Sequence, residues 1–355
     1  MIKTETLKIN RRNPEHDKIR YAAEIIKRGG LVVFPTETVY GLGAGAFDAK
    51  AVRNIFKAKG RPADNPLIVH IAEAEDVGLI AKRPPLSARI LMQAFWPGPL
   101  TLILKKKKIV PDVITAGGDT VAVRMPDNKI ARSLIKEAGA PLVAPSANLS
   151  GRPSPTRARD VVEDLAGRVD LIIDGGATDV GIESTVVDMT EARPVILRPG
   201  GVSREDIERV IGKVRVLAFD GGHEGASQGF VAQKALLKSP GLKYKHYAPR
   251  AEVIIVEGRA RDVHRKIRAL ADGALKYNKK VGIISFRKNA RYKGCIVAFA
   301  GSDLLTAARR LFTILRELDK KEVDIIISES PADRGIGLAV SDRLKRAAGY
   351  NIINV

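Results

Sequence analysis

The chain has 355 residues, with 60 Lys+Arg against 40 Asp+Glu and a formal net charge of +20. At roughly 100–200 residues per domain this length points to two domains, and a 45% hydrophobic composition excludes a disordered charged chain. No apolar run reaches the roughly 18–20 residues of a membrane helix, and the single cysteine, Cys295, removes intramolecular disulfides and cysteine-cluster metal sites.

In chain order, residues 17–28 place Ile19, Ala22, Ala23, Ile25 and Ile26 on one helical face, and Gly29-Gly30 ends the run. Further helical patterns fall at 50–58, 86–95, 128–138, 158–166 and 203–211. Strand patterns fall at Leu31–Phe34, Leu67–Ile71, Leu100–Leu104, Thr120–Arg124, Pro141–Ala144, Leu171–Ile173, Thr185–Asp188 and Val195–Leu197. Some of these strands follow one another with no helix between, which predicts a mixed α/β sheet. The stretch 220–230 is glycine-rich and reads as loop, whereas SPGLKYKHYAP, from Ser239 to Pro249, carries two Tyr and a His that an inert linker would not need. Beyond Pro249 the pattern turns regular. Strands at Val253–Val256, Val281–Phe286, 295–299 and Val323–Ser328 alternate with helices around 260–274, 302–318 and 336–348, the signature of a parallel βαβ domain.

The start MIKTETLKINRRNPEHD has no signal-peptide stretch, so a cytoplasmic protein is expected. Three Gln and four Met point to a hot-adapted source. The positive excess suits a nucleic-acid ligand as well as a merely basic surface.

Several polar stretches sit where the apolar patterns stop. Phe34-Pro-Thr-Glu-Thr-Val-Tyr-Gly-Leu-Gly43 follows a strand, as ligand sites at sheet ends do, although alone it reads as a glycine-rich turn. Its Gly41-x-Gly43 stands too far from the strand for a dinucleotide fingerprint. Lys59 and Arg61 lie in a loop stiffened by Pro62 and Pro66. Such a pair suits a phosphate or carboxylate, and equally a solvated helix end. His70, inside an apolar strand, reads in isolation as a core histidine satisfied by hydrogen bonds. Trp96-Pro-Gly-Pro-Leu-Thr101 reads as a structural turn. Alternation puts Thr120, Ala122 and Arg124 on one face, and an arginine at a strand end usually has an anionic partner. Ala144–Thr156 supplies hydroxyls and an amide, while Glu183–Asp188 and Leu197–Gly201 each put a polar residue at the end of an apolar strand. Taken together, Lys59, Arg61, Arg124 and Arg198 beside Thr, Ser and Asn are the equipment for an anionic ligand with hydroxyls. A Walker-type loop, an HExxH motif and a Ser-His-Asp or Cys-His nucleophile set are all missing.

PTETVYGLG, KGRPADNPLIVH, WPGPLT, VAVRMP, APSANLSGRPSPT, ESTVVD, LRPGG and SPGLKYKHYAP occur in the order seen in the threonylcarbamoyl-AMP synthases, the long two-domain form of the YrdC-type enzymes, and the chain resembles that family over nearly its whole length. The resemblance implies an α/β fold. Residues 1–212 would form a YrdC-like twisted mixed sheet with a large positive cleft. Residues 213–249 would form a linker or lid containing KYKHYAP, and residues 250–355 a smaller Rossmann-like parallel domain.

The implied reaction joins L-threonine, bicarbonate and ATP into L-threonylcarbamoyl-AMP and releases pyrophosphate, a nucleotidyltransferase-type step. Its product serves threonylcarbamoyl modification of a tRNA adenosine beside the anticodon. By the same resemblance, Thr38, His70, Arg124 and Ser184 are the threonine-binding set. Arg61, Asn65, Thr120, Ser146, Asn148, Ser154, Arg198 and Tyr247 are the ATP-binding set, and Lys59 with Arg61 is the catalytic pair near the phosphates. Mg²⁺ would arrive with ATP and not on protein ligands, and no tightly bound prosthetic group is expected. The implied partners are the small-molecule substrates and the downstream tRNA threonylcarbamoyl transferase machinery, with a basic surface for tRNA and no membrane. Residues 250–355 hold 22 Lys+Arg and 12 Asp+Glu, half of the excess charge on under a third of the chain.

Overall fold

The computed structural model describes residues 2–217, 238, 239 and 246–355. The chain divides into two compact units. The first is Met1–Ser150, Ser154–Asp179 and Glu183–Lys243; the second is Gly151–Pro153, Val180–Ile182 and Tyr244–Val355. The glycine-rich stretch 220–230 and Lys243, Tyr244 and Lys245 of the expected linker lie outside the described residues.

The first unit carries strands β1 (Glu5–Lys8), β2 (Val32–Phe34), β3 (Gly41–Gly45), β4 (Ile68–His70), β5 (Leu100–Lys105), β6 (Thr120–Arg124), β7 (Leu142–Val143), β8 (Leu171–Asp174), β9 (Thr185–Asp188), β10 (Val195–Arg198) and β11 (Arg215–Val216). They form one sheet in the order β1-β8-β2-β3-β7-β4-β6-β5-β9-β10-β11. It is mixed, as expected: β4 pairs parallel with β6, while β5 pairs antiparallel with β6. The helices are α1 (His16–Lys27), α2 (Ala49–Lys59), α3 (Val77–Ile80), α4 (Leu86–Phe95), α5 (Asp112–Thr115), α6 (Lys129–Ala138), α7 (Ala158–Leu165) and α8 (Arg204–Ile211).

Local chemistry explains where the longer helices begin and end. Asp48 accepts from the backbone amides of Lys50 and Ala51 to cap α2, and Gly60, at φ 61°, closes it. Asn128 and Gly139 do the same for α6, and Ser203 with Asp206 forms a capping box on α8. Strands β1, β3 and β11 and the short helices α3 and α5 have no counterpart in the sequence reading. The reason is clearest at β3, whose GLGAG has the composition of a glycine-rich turn. A Cβ on Gly43 would lie 2.5 Å from the Phe34 ring, so the absent side chain makes room for that ring while β3 pairs antiparallel with β2.

Alternation along the central strands sorts their side chains between two cores. Val69, Val121 and Val123 face one way, into the main core with Ile55, Leu67 and Leu91. Ile68, Ile103, Ala122, Val186, Val195 and Leu197 face the other way and form a separate buried cluster. At about 1.5–3 kcal/mol for each large side chain buried, either cluster strongly specifies register, since a one-residue slip would exchange the two faces.

The second unit is β12 (Glu252–Glu257), α9 (Ala260–Lys276), β13 (Val281–Ser285), β14 (Ile296–Phe299), α10 (Leu304–Lys320), β15 (Ile325–Glu329), α11 (Gly337–Ala347) and β16 (Ile352–Asn354). Its strand order is β14-β13-β15-β12-β16 and every pairing is parallel, as the βαβ alternation predicts. Only β16 was not read from the sequence. Among the described residues no helix is long and apolar enough to cross a membrane.

Candidate active site

The apolar cluster on the second face of β4, β6, β5, β9 and β10 is the floor on which the polar residues are arranged. Because β4 and β6 run in register, Ile68 pairs with Ala122 and His70 with Arg124, so His70 and Arg124 stand side by side on that face at the strand ends. Both are buried. Burial, and then the Arg124 charge, pushes the His70 imidazole down to about 3, so it is neutral at ordinary pH. Its Nδ1 has no hydrogen-bond partner, unlike the satisfied core histidine that the isolated strand suggested.

Arg124 Nε donates to the carbonyl of Gly98 (3.3 Å), and its Nη2 stands 2.7 Å from Glu37 Oε2. That contact is an ion pair by distance, but it lacks the alignment of a hydrogen bond. The Nη2 and both Glu37 carboxylate oxygens are therefore buried without hydrogen-bond partners. Glu37 is held by its turn. Thr36 Oγ1 donates to Val39 O (2.7 Å) and therefore accepts from the Thr38 hydroxyl (2.8 Å), and Glu37 O accepts from Asp179 N (3.0 Å). Tyr40, on the same turn, donates from its hydroxyl to Gly176 O (2.7 Å), and burial raises its pKa.

Ser184, fully buried just before β9, shares a 2.7 Å hydroxyl contact with Thr101 and accepts at its carbonyl from Arg198 Nη2 (3.1 Å). Gly200 permits this. A Cβ there would lie 2.2 Å from the Ser184 carbonyl carbon and 2.3 Å from Thr185 N. Ser154 donates to Glu183 Oε1 (2.5 Å). Lys59 is buried, and its ammonium donates to the carbonyls of Ser146 (2.5 Å) and Asn148 (2.6 Å), while the Ser146 hydroxyl bonds Asn148 Oδ1. Arg61 donates to the carbonyls of Asn65 and Pro66. Thr120 lies at the other end of β6, on the same face as Ala122 and Arg124.

The fold thus sets His70 beside Arg124, with Glu37 of the Thr36–Thr38 turn paired to Arg124, and joins Ser184 to Thr101 and Arg198; separately it brings Lys59 to Ser146 and Asn148, and Arg61 to Asn65. Tyr247 belongs to the second unit. There it stacks on Phe312 at 5.2 Å between centroids, and the Arg343 guanidinium lies 5.3 Å from its ring centre. Three further buried polar residues, Glu37, Thr101 and Glu183, are not singled out by the sequence patterns. Each sat inside a quoted motif. The usable signal was an acid or hydroxyl bracketed by residues bound for the core.

A family model described as "Telomere recombination" matches residues 24–200, and one described as "Threonylcarbamoyl-AMP synthase, C-terminal domain" matches residues 202–349. Threonylcarbamoyl-AMP synthase of Pyrococcus abyssi is 51% identical over 351 residues, which is 99% of this chain and 100% of the relative. This chain belongs to the threonylcarbamoyl-AMP synthase family. The family enzyme of Bacillus subtilis is 45% identical, over 95% of this chain and 94% of its own. The crystal structure of P. abyssi Sua5 complexed with L-threonine matches with a TM-score of 0.90 at 48% identity, covering 99% of each chain. YciO of E. coli matches with a TM-score of 0.51 at 28% identity, over 56% of this chain and 96% of that one.

Proposed function

We propose that this chain condenses L-threonine, bicarbonate and ATP into L-threonylcarbamoyl-AMP and pyrophosphate, and so acts as a nucleotidyltransferase-type synthase. The observation that carries the reading is the buried pair of Arg124 and Glu37, 2.7 Å apart, with His70 in register beside Arg124, and with Arg124 Nη2, both Glu37 carboxylate oxygens and His70 Nδ1 all without hydrogen-bond partners. Unsatisfied buried polar atoms are costly, and a small polar ligand would supply what they lack. In this reading Arg124 binds the threonine carboxylate as a guanidinium fork. Neutral His70, with Thr38 and Ser184, meets the threonine hydroxyl, and valine is rejected because it would leave those groups unpaired.

The threonine amine attacks bicarbonate to give a carbamate, whose oxygen attacks the α-phosphorus of ATP as pyrophosphate leaves. Such a route needs positioning and charge neutralisation and no protein nucleophile. Arg61, Asn65, Thr120, Ser146, Asn148, Ser154 and Arg198 take the nucleotide. Lys59 lends its charge from behind the Ser146–Asn148 turn, which it holds in place. Among the described residues no group of three or more His, Cys, Asp or Glu could hold a metal ion. In this reading any Mg²⁺ comes with the ATP phosphates.

Residues 1–212 are then the catalytic part, with 213–249 as linker and 250–355 as the C-terminal domain. The assignment of Tyr247 to ATP rests on the sequence resemblance. The adenylate would be consumed by a tRNA-modifying transferase in the cytoplasm, and the basic C-terminal domain is the surface to test for tRNA.

Incubation with L-threonine, labelled bicarbonate and ATP is expected to give pyrophosphate and a labelled adenylate; folded protein yielding neither would end this reading. Arg124→Ala should abolish threonine binding and leave ATP binding largely intact by calorimetry. Equal loss of both would contradict the assignment.

A further inference from the structure

Threonine is a zwitterion, and the residues assigned above serve its carboxylate and its hydroxyl but leave the α-ammonium group without an anion. Glu37 is the carboxylate that stands beside Arg124. It is only 5% exposed, its backbone is pinned by the Thr36 turn and by Asp179 N, and both oxygens lack hydrogen bonds while one stands 2.7 Å from Arg124 Nη2. A carboxylate has about four acceptor positions and an ammonium group three donors. A buried guanidinium beside a buried carboxylate is thus the charge pattern of an α-amino acid in reverse.

The geometry points to Glu37 as the residue that binds the threonine ammonium group and takes its proton. This rests on the reading of the site as one for L-threonine. On binding, the substrate carboxylate meets Arg124 and the ammonium meets Glu37, each replacing half of the resting ion pair. An ammonium nitrogen has no free electron pair, so it must lose a proton before it can attack bicarbonate. Glu37 accepts that proton and becomes a neutral acid. The nitrogen pair then forms the N–C bond, the C–OH bond of bicarbonate breaks, and the hydroxyl leaves as water with a second N–H proton. Glu37 returns its proton to solvent when the product departs.

The test compares L-threonine with (R)-3-hydroxybutanoate, which keeps the carboxylate and hydroxyl and lacks the amine, by calorimetry on the full chain. Wild type should favour threonine by about 100-fold, the scale of a buried charge pair. Glu37→Gln should bring that preference close to one while 3-hydroxybutanoate and ATP bind as before, and Glu37→Asp should keep part of it. A wild-type preference near one overturns the inference, and so does a preference that survives in Glu37→Gln. Loss of both ligands together in Glu37→Gln, with ATP binding retained, also overturns it, because Glu37 would then only be holding Arg124. Should Glu37→Gln not fold, an undiminished preference in Glu37→Asp counts against it. Wild type that binds neither threonine nor 3-hydroxybutanoate would instead sink the threonine reading itself.

Discussion

His70 offers a test in which the structure sets both the sign and the size. Its imidazole is buried on the floor of the site, and its pKa falls from the ordinary 6.5 to about 3 through lost hydration first and the neighbouring Arg124 charge second. The native state excludes the charged form, while the unfolded chain accepts it freely. The stability due to this residue is therefore complete above the unfolded value and is lost as the pH drops from 6.5 towards 3. Linkage puts the loss from this one group at about 2 kcal/mol between roughly pH 7 and pH 5. The assay is a set of urea melts of the full chain across that range, for the parent and for His70→Gln, which carries no charge at any of these values. The variant should lose about 2 kcal/mol less than the parent on acidification. Parallel pH profiles for the two proteins would refute a buried, neutral His70, and with it the claim that this ring offers an uncharged nitrogen to a hydroxyl.

Two further substitutions probe how the site is supported. Gly200→Ala would push a methyl group to 2.2 Å from the Ser184 carbonyl carbon, and backbone has no flexible end that can yield. It should cost about 1–3 kcal/mol in a melt, and a displacement of Ser184 by roughly 1 Å should lower kcat/KM for pyrophosphate release by about 100-fold. A fully active, equally stable variant would mean that the 184–185 backbone is not held as described. Asp48→Ala removes the acceptor for two amides at the start of α2, the helix that delivers Lys59. It should cost about 1 kcal/mol, with activity lowered only in proportion to the folded fraction, as a thermal melt beside the activity assay would reveal.

Much of this molecule was legible in the one-dimensional pattern. Helices with capping residues and closing glycines, such as 49–59 and 129–138, announce themselves because their signals are local. The alternation of Thr120, Ala122 and Arg124 placed all three on one face before any neighbour was known, and the βαβ rhythm beyond Pro249 implied parallel strands because only crossovers can join them. The eight ordered motifs identified the family. What the chain could not state in advance was which distant groups would meet. Strand β3 exists because Phe34 fills the space that Gly43 leaves, a contact invisible to a pattern that sees only glycines. Glu37 becomes a buried carboxylate paired with an arginine only when the Thr36 turn brings the acid to Arg124 at the end of β6. Local propensities and periodicities are written into neighbouring residues. Desolvation and charge pairing depend on three-dimensional proximity, so the electrostatics of the site had to wait for the tertiary structure.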